Sequence, residues 1–436
     1  MIKLKNNLLI KNIIILLVSG AIAKALGMIG KIIYTRIAGV NVVSLYTLIT
    51  PTLMLIITIT QFSFPISISK ISAEEKYENN DILKNAITMG FIIDTFLIIL
   101  VLISASFIAN MLHNKALTPA ILSVSIIIPF ITISSIQRGF LHGKEDMAPA
   151  SITNITEEIV KVILIILFLP FAISKSNITA VIFIILFNVI TELTSIIIMQ
   201  KTINKKYINN NYKPKINIKL LKEILNISGP TTLVRLISSV GFFLEPIILT
   251  STLLQTGFSS NYITLEYGVI NSYIIPLLSI PSFFSASIAS ALLPNITKLY
   301  VNKKYNEFNK KLLKLLFLSL IVGAICLSVI LLFPKQLLIL IYNVNFGVNY
   351  IYLIGPFFLI LYMQPTLSVA LQAMGKTNKL FLTSTISMIL KYSVLYIFGK
   401  LGFGMKSLIF SIITGIIVTT FLVIIIVMKE IKNKSK

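Results

Sequence analysis

The chain has 436 residues, 56% of them hydrophobic and 12% charged, with a mean hydropathy of +0.93. A soluble protein carries about 25% charged residues, so a water-facing globule is excluded, and apolar stretches of about 20 residues recurring from end to end indicate a membrane-spanning chain. The net charge of +23 is no argument for nucleic acid, because basic residues flanking membrane spans are topology signals rather than a phosphate-binding face. Only three of the 38 basic residues are arginines: Arg36, Arg138 and Arg235. The single cysteine, Cys326, rules out an internal disulfide, and His113 and His142 lie far apart with no cysteine nearby, against a zinc site.

Taken in chain order, the apolar pattern predicts spans over residues 12–34, 43–68, 86–110, 118–138, 149–173 and 178–200. Six more follow over 226–252, 268–294, 312–333, 349–372, 379–399 and 405–428. All are expected to be helices, since in lipid each backbone group must be satisfied within its own segment. Lys3, Lys5 and Lys11, ahead of an apolar stretch that meets Ala21-Ile22-Ala23, imitate a cleavable signal peptide. Cleavage would leave eleven spans and put one end of the chain on the side its charges disfavour, so the first span is kept.

Of the basic residues, 27 fall in segments on the side of the N-terminus, six on the other side and five within spans. That bias places both termini in the cytoplasm and requires an even number of spans. The basic stretch 201–225 divides the chain into an N-terminal lobe over 1–212, with the linker, and a C-terminal lobe over 213–436. The lobes read as copies. Ser19-Gly20 with Lys24 answers to Ser228-Gly229 with Arg235; Gln137 with Gly143-Lys144 answers to Gln372 with Gly375-Lys376; and Lys161 answers to Lys391. Six spans each make the repeats parallel, the architecture of an alternating-access transporter.

An ionisable group at bilayer depth costs at least about 2.5–3.5 kcal/mol, so each one needs a reason. Gly20, Lys24, Gly27 and Lys31 share one helix face. With Arg235 and Lys391 these lysines form a candidate cationic cleft for an anionic substrate; the structural alternative pairs them with Asp94 or Glu192. Arg235, close to Ser238 and Ser239, offers the planar fork that suits phosphate or carboxylate. Arg36 and Arg138 are expected to snorkel to the membrane surfaces. Glu157 and Lys161, in the favourable i, i+4 order, are expected to neutralise each other. Asp94, Glu157, Glu158, Glu192 and Glu245 are candidates for coupling transport to Na+ or H+. The prolines Pro51, Pro65, Pro276, Pro281, Pro356 and Pro365 fit bent helices and favour no particular function.

The run from Gln137 to Pro149 (QRGFLHGKEDMAP), leading into Glu157 and Glu158, resembles a signature of the stage V sporulation protein B group. That group belongs to the multidrug/oligosaccharidyl-lipid/polysaccharide (MOP) flippase superfamily. The stretches PISISKISAE (65–74), PLLSIP (276–281) and LQAMGKT (371–377) extend the resemblance over both halves. It implies an all-α membrane fold of two six-helix lobes around a cleft that opens alternately to each side. It also implies a lipid-linked sugar cargo such as an undecaprenyl-pyrophosphate precursor, carried by a monomer in the bacterial cytoplasmic membrane. Membrane lipids and the glycan would be its partners, and the coupling ion its only cofactor. Lipid II flippases of the superfamily commonly have fourteen spans against the twelve read here, which leaves a cation-coupled drug or metabolite exporter as the alternative. A membrane sugar polymerase would need larger outer loops to carry catalytic groups, and no hydrolase, nucleotide-binding or metal motif is present.

Overall fold

The computed structural model describes the backbone of residues 2–435 and the side chains of 18–433 except 290, 291 and 294; among these residues there is no strand. Lys3, Lys5 and Lys11 therefore have side chains outside the described residues, while Ala21-Ile22-Ala23 lie inside the first helix. In chain order the helices are α1 (Ile2–Gln61), α2 (Phe64–Glu74), α3 (Asn79–Met111), α4 (Thr118–Gly143), α5 (Met147–Lys175), α6 (Asn177–Lys206) and α7 (Ile218–Gln255). They continue as α8 (Ser260–Val269), α9 (Ile275–Val301), α10 (Tyr305–Leu332), α11 (Pro334–Tyr342), α12 (Val348–Leu361), α13 (Gln364–Ala373), α14 (Thr377–Lys400) and α15 (Lys406–Ser435). A π-helical turn, Ile270–Ile274, joins α8 to α9.

Along α3, Gly90, Asp94, Leu97, Val101 and Ala105 are buried at helical spacing. The opposite face exposes Ile92, Phe96, Ile99, Ile103 and Phe107. A helix of a soluble protein turns polar residues outward; here the outward face is the apolar one, which only lipid solvates without cost. Ten stretches of the described residues are long and apolar enough to cross a bilayer. The first, Val18–Glu74, spans 57 residues. That is about 85 Å of helix, well over twice the ~30 Å hydrocarbon core. It breaks at Gly39 (φ 69°) and again at Phe62 and Ser63 (φ 41° and 50°). α5 has the length for a crossing and carries Glu157, Glu158 and Lys161. Each of the twelve expected spans falls largely on helix, the first two along α1 and α2 and the fifth on α5, which the ten stretches leave out.

Packing divides the chain into two compact units, 1–244 and 245–436. This division falls inside α7, whereas the lobe boundary expected at 212/213 lies in the linker before it. Within the first unit the two motifs of the sequence signature prove to be one contact. A Cβ on Gly139 would come within 2.9 Å of Pro65 Cα, and one on Gly143 within 2.4 Å of the Ser69 carbonyl oxygen. The glycines thus let α4 lie against the backbone of α2, and Phe140 and Leu141 pack with Phe64, Ile68 and Ile71. The basic linker is held as well. Asn85 donates to the Lys215 carbonyl (2.8 Å) and accepts from the Asn217 amide (2.8 Å), while Asp81 accepts from the Lys215 amide (2.7 Å) and the Tyr212 hydroxyl (2.7 Å). In the second unit Gly323 leaves room for the Tyr362 ring, whose hydroxyl reaches the Leu278 carbonyl at 2.8 Å.

Gly143→Ala and Gly139→Ala each drive a methyl into helix backbone that has no rotamer to move. Overpacking of this kind costs about 1–3 kcal/mol. Both variants should melt at lower temperature than wild type in detergent, whereas Gly229→Ala, with nothing within 4 Å of the added Cβ, should not.

Candidate substrate and ion sites

Lys24 on α1 is exposed and Lys31, two turns on, is half-buried. Neither makes a hydrogen bond or ion pair through its side chain with the described residues. The structural alternative, pairing with Asp94 or Glu192, is therefore not what the packing adopts. What faces this stripe is α5. A Cβ on Gly27 would stand 3.3–3.4 Å from the Glu158 carboxyl group, and one on Gly30 3.1 Å from Val162. Gly27 and Gly30 thus draw α1 and α5 close and set a carboxylate between the two lysine positions, with no ion pair closing within 4 Å.

Glu157, one residue back, has a different partner from the one expected. Its Oε1 accepts from Arg138 Nη2 at 2.9 Å and from the Ser195 hydroxyl at 2.5 Å, and Arg138 Nη1 also donates to Asn154. The i, i+4 pair with Lys161 does not form, and Arg138 turns inward rather than to the membrane surface. The reason is tertiary. α4 delivers a guanidinium fork, one nitrogen of which bonds the carboxylate while the other is held by Asn154, so the charge is fixed in place where a lysine offers a mobile point charge. Glu192 on α6 lies beside Ser134 in the same polar core and has one buried oxygen without a partner. Gln137 donates to Gln200 at 2.6 Å.

Asp94 is 2% exposed. The Thr132 hydroxyl donates to its Oδ1 at 2.6 Å, and its Oδ2 has no partner. Gly90, one turn before, is what brings α4 this near, since its Cβ would meet Thr132 at 2.4 Å. A buried carboxylate with one oxygen unsatisfied has room for one more donor, a proton or a small cation.

α7 supplies two further groups. Arg235 Nη2 donates to Gln61 Oε1 at 2.5 Å, at the end of α1. Ser239 bonds to Thr58 at 2.8 Å, while Ser238 is exposed. Gln61 is neutral, so the guanidinium charge is uncompensated and most of its donors remain free. In the second unit Glu245, 2% exposed, accepts from Lys391 and from the Tyr267 hydroxyl at 3.3 Å. The two were expected in different roles, Lys391 on substrate and Glu245 on a coupling ion; they hold each other. Sequence spacing gave no sign of this pair, which joins residues 146 positions apart. Among the described residues no group of three or more His, Cys, Asp or Glu side chains is placed to hold a metal.

Residues 9–300 match the polysaccharide biosynthesis protein family. The chain belongs to that family. Residues 270–397 also match the MatE family. Stage V sporulation protein B of Bacillus subtilis (strain 168) is 28% identical over 432 residues, covering 95% of this chain and 82% of the relative. Capsular polysaccharide biosynthesis protein CapF of Staphylococcus aureus is 26% identical over 329 residues, covering 75% and 76%. A solved multidrug resistance MATE family transporter of the MOP superfamily, in an inward-facing conformation, superposes with a TM-score of 0.75 at 14% identity, covering 94% of this chain and 95% of that one. The resemblance read from the QRGFLHGK run and its companions holds, and so does the all-α MATE-like membrane fold. This is a multi-pass membrane protein of the polysaccharide biosynthesis family with the fold of the MATE transporters.

Glu245→Gln leaves the Lys391 ammonium without its counter-charge beside a buried site. Removing one partner of a buried pair costs about 3–5 kcal/mol, more than replacing both. Unfolding of the detergent-solubilised protein should therefore show Glu245→Gln as markedly less stable than the Glu245→Gln/Lys391→Met double variant. A double variant no better than the single one would mean that the pair does not carry the stability of this region.

Proposed function

We propose that the protein is a flippase for an anionic lipid-linked sugar of the undecaprenyl-pyrophosphate kind, moved by alternating access. One observation carries this reading: Lys24, Lys31 and Arg235, all at spanning depth in the first unit, have no carboxylate partner among the described residues. A cation left uncompensated where it costs several kcal/mol is retained for an anion that arrives from outside the fold. A pyrophosphate supplies that charge, and the free N–H groups of Arg235 match its oxygens. Lys391, already held by Glu245, falls out of the substrate set.

The coupling ion is H+ or Na+, and Glu158 is the carboxylate best placed to use it. It stands on the lysine stripe, where its charge opposes an incoming phosphate; neutralising it favours binding. Asp94 and Glu192, each with a buried oxygen unpartnered, are the other carboxylates with capacity for an ion, whereas Glu157 and Glu245 act as counter-ions to Arg138 and Lys391. The lysine distribution sets both termini in the cytoplasm of a bacterial cell, so the head group is taken up inside and released outside by a monomer. The MatE match and the count of twelve spans favour a second reading, a cation-coupled exporter of drugs or metabolites.

Binding of purified protein to an undecaprenyl-pyrophosphate sugar decides between the two. Lys31→Ala and Arg235→Ala should each weaken it at least tenfold, about 1.4 kcal/mol. Glu158→Gln should tighten it and flatten its dependence on pH. Equal binding by all variants, or none by wild type, moves the exporter reading to first place.

A further inference from the structure

Three connections of the second unit converge at one end: the turn between α7 and α8, the segment between α11 and α12, and the turn between α14 and α15. With α8 and the start of α12 they form an open cavity of about 670 Å³, within the range of small-ligand sites. α15 begins here at Lys406 and runs for 30 residues, about 45 Å, so this is the end remote from the chain's C-terminus. Under the orientation set by the lysines it faces outside.

The walls are aromatic and fixed. Phe258 and Tyr262 stack with centroids 5.6 Å apart and planes at 21°, and Phe403 is wedged against Phe398 at 5.1 Å and Phe410 at 6.1 Å. Gly347 (φ 84°) and Gly404 (φ 57°) shape the rim, and a Cβ on either would lie within 3 Å of Ile274 or Phe258. The polar groups are open. Asn345, Asn349 and Lys406 line the cavity, and their side chains make no hydrogen bond or ion pair with the described residues. Glu266 takes the Tyr350 hydroxyl on one oxygen at 2.6 Å.

Aromatic faces carry negative charge density and attract the polarised C–H groups of a ring lying flat on them. Side-chain amides and a carboxylate at the edge pair with hydroxyls, each amide both donating and accepting. Glu266 and Lys406 balance, so the cavity selects neither anion nor cation, and a phosphate would meet Glu266. An alkyl chain would strand both asparagines. Tyr262 and Phe403 are open at 38% and 45%, not far from the belt-like Tyr352 and Tyr396 at 51% and 47%; what sets them apart is that they line one cavity together with Phe258 and Phe346. The ligand that uses every wall is a flat, neutral, many-hydroxyl ring.

We propose that this cavity is a saccharide site, binding one or two pyranose rings on the outer side of the second unit. It rests on the glycan-cargo reading for the source of the sugar, though not for its chemistry. Whole protein in nanodiscs is titrated with cellobiose and with N,N′-diacetylchitobiose, and binding is read as saturation transfer to ring protons in NMR. At least one disaccharide should show saturable transfer, weakened fivefold or more in Asn349→Ala and in Tyr262→Ala, both surface changes whose fold is checked by circular dichroism. Gly229→Ala, whose added Cβ meets nothing within 4 Å, should leave it unchanged. No transfer to either disaccharide, or transfer equal in the Asn349 and Tyr262 variants, overturns the site. Should the disaccharide bind in an Asn349-dependent way while the pyrophosphate-linked sugar does not bind at all, the saccharide site stands and the flippase reading falls. Should Asn349→Ala weaken the carrier-linked sugar too, the cargo's own head group is the occupant; should only the soluble sugar weaken, a free saccharide is.

Discussion

A membrane interior offers a charged side chain no water, and the cost of leaving it alone there is several kcal/mol. Every ionisable group on a span must therefore be paired, hydrogen-bonded or kept for something that comes and goes. The structure sorts its own groups by this rule. Arg138 with Glu157, and Lys391 with Glu245, are closed. Asp94 is half closed, by Thr132 on one oxygen alone. Lys24, Lys31 and Arg235 are open in charge, and Glu158 stands near two of them without closing on either. The functional reading comes from this remainder, not from the number of charges.

Glycine decides where those groups can stand. Glu158 lies over Gly27, Thr132 reaches Asp94 because Gly90 lets α4 approach, and the Lys391 side chain passes 3.5 Å from where a Cβ on Gly415 would be. Small residues at helix contacts are the general device for close approach in lipid, where no hydrophobic force drives one helix onto another. In this chain the same glycines that bring helices together place polar groups between them, so packing and charge placement are a single design problem.

The spans and their helical nature were legible in sequence because lipid imposes one local rule on every segment, and the inverted face of α3 follows that rule residue by residue. The family was legible because its motifs are contiguous; the contact of Gly139 and Gly143 with α2 explains why two separated stretches form one signature. The ion pairs were not legible. The i, i+4 rule that joined Glu157 to Lys161 is a rule for isolated helices, worth only a few tenths of a kcal/mol. It gave way to a guanidinium that α4 delivers from 19 residues away. The aromatic cavity was invisible for the same reason, its lining being drawn from three connections that no window of sequence contains together.

The two halves, similar enough to be read as repeats, have settled their charges differently. In the second unit Lys391 finds Glu245 on α7 and is closed. Its counterpart in the first, Lys161, has lost Glu157 to Arg138 and forms no ion pair among the described residues. The first unit thus carries the open cations, and the second carries a closed pair and a cavity whose charges balance. A ligand moves a conformational equilibrium only to the extent that it binds two states unequally. The two repeats thus differ in chemistry at matching positions, and a charged ligand has no reason to bind them alike.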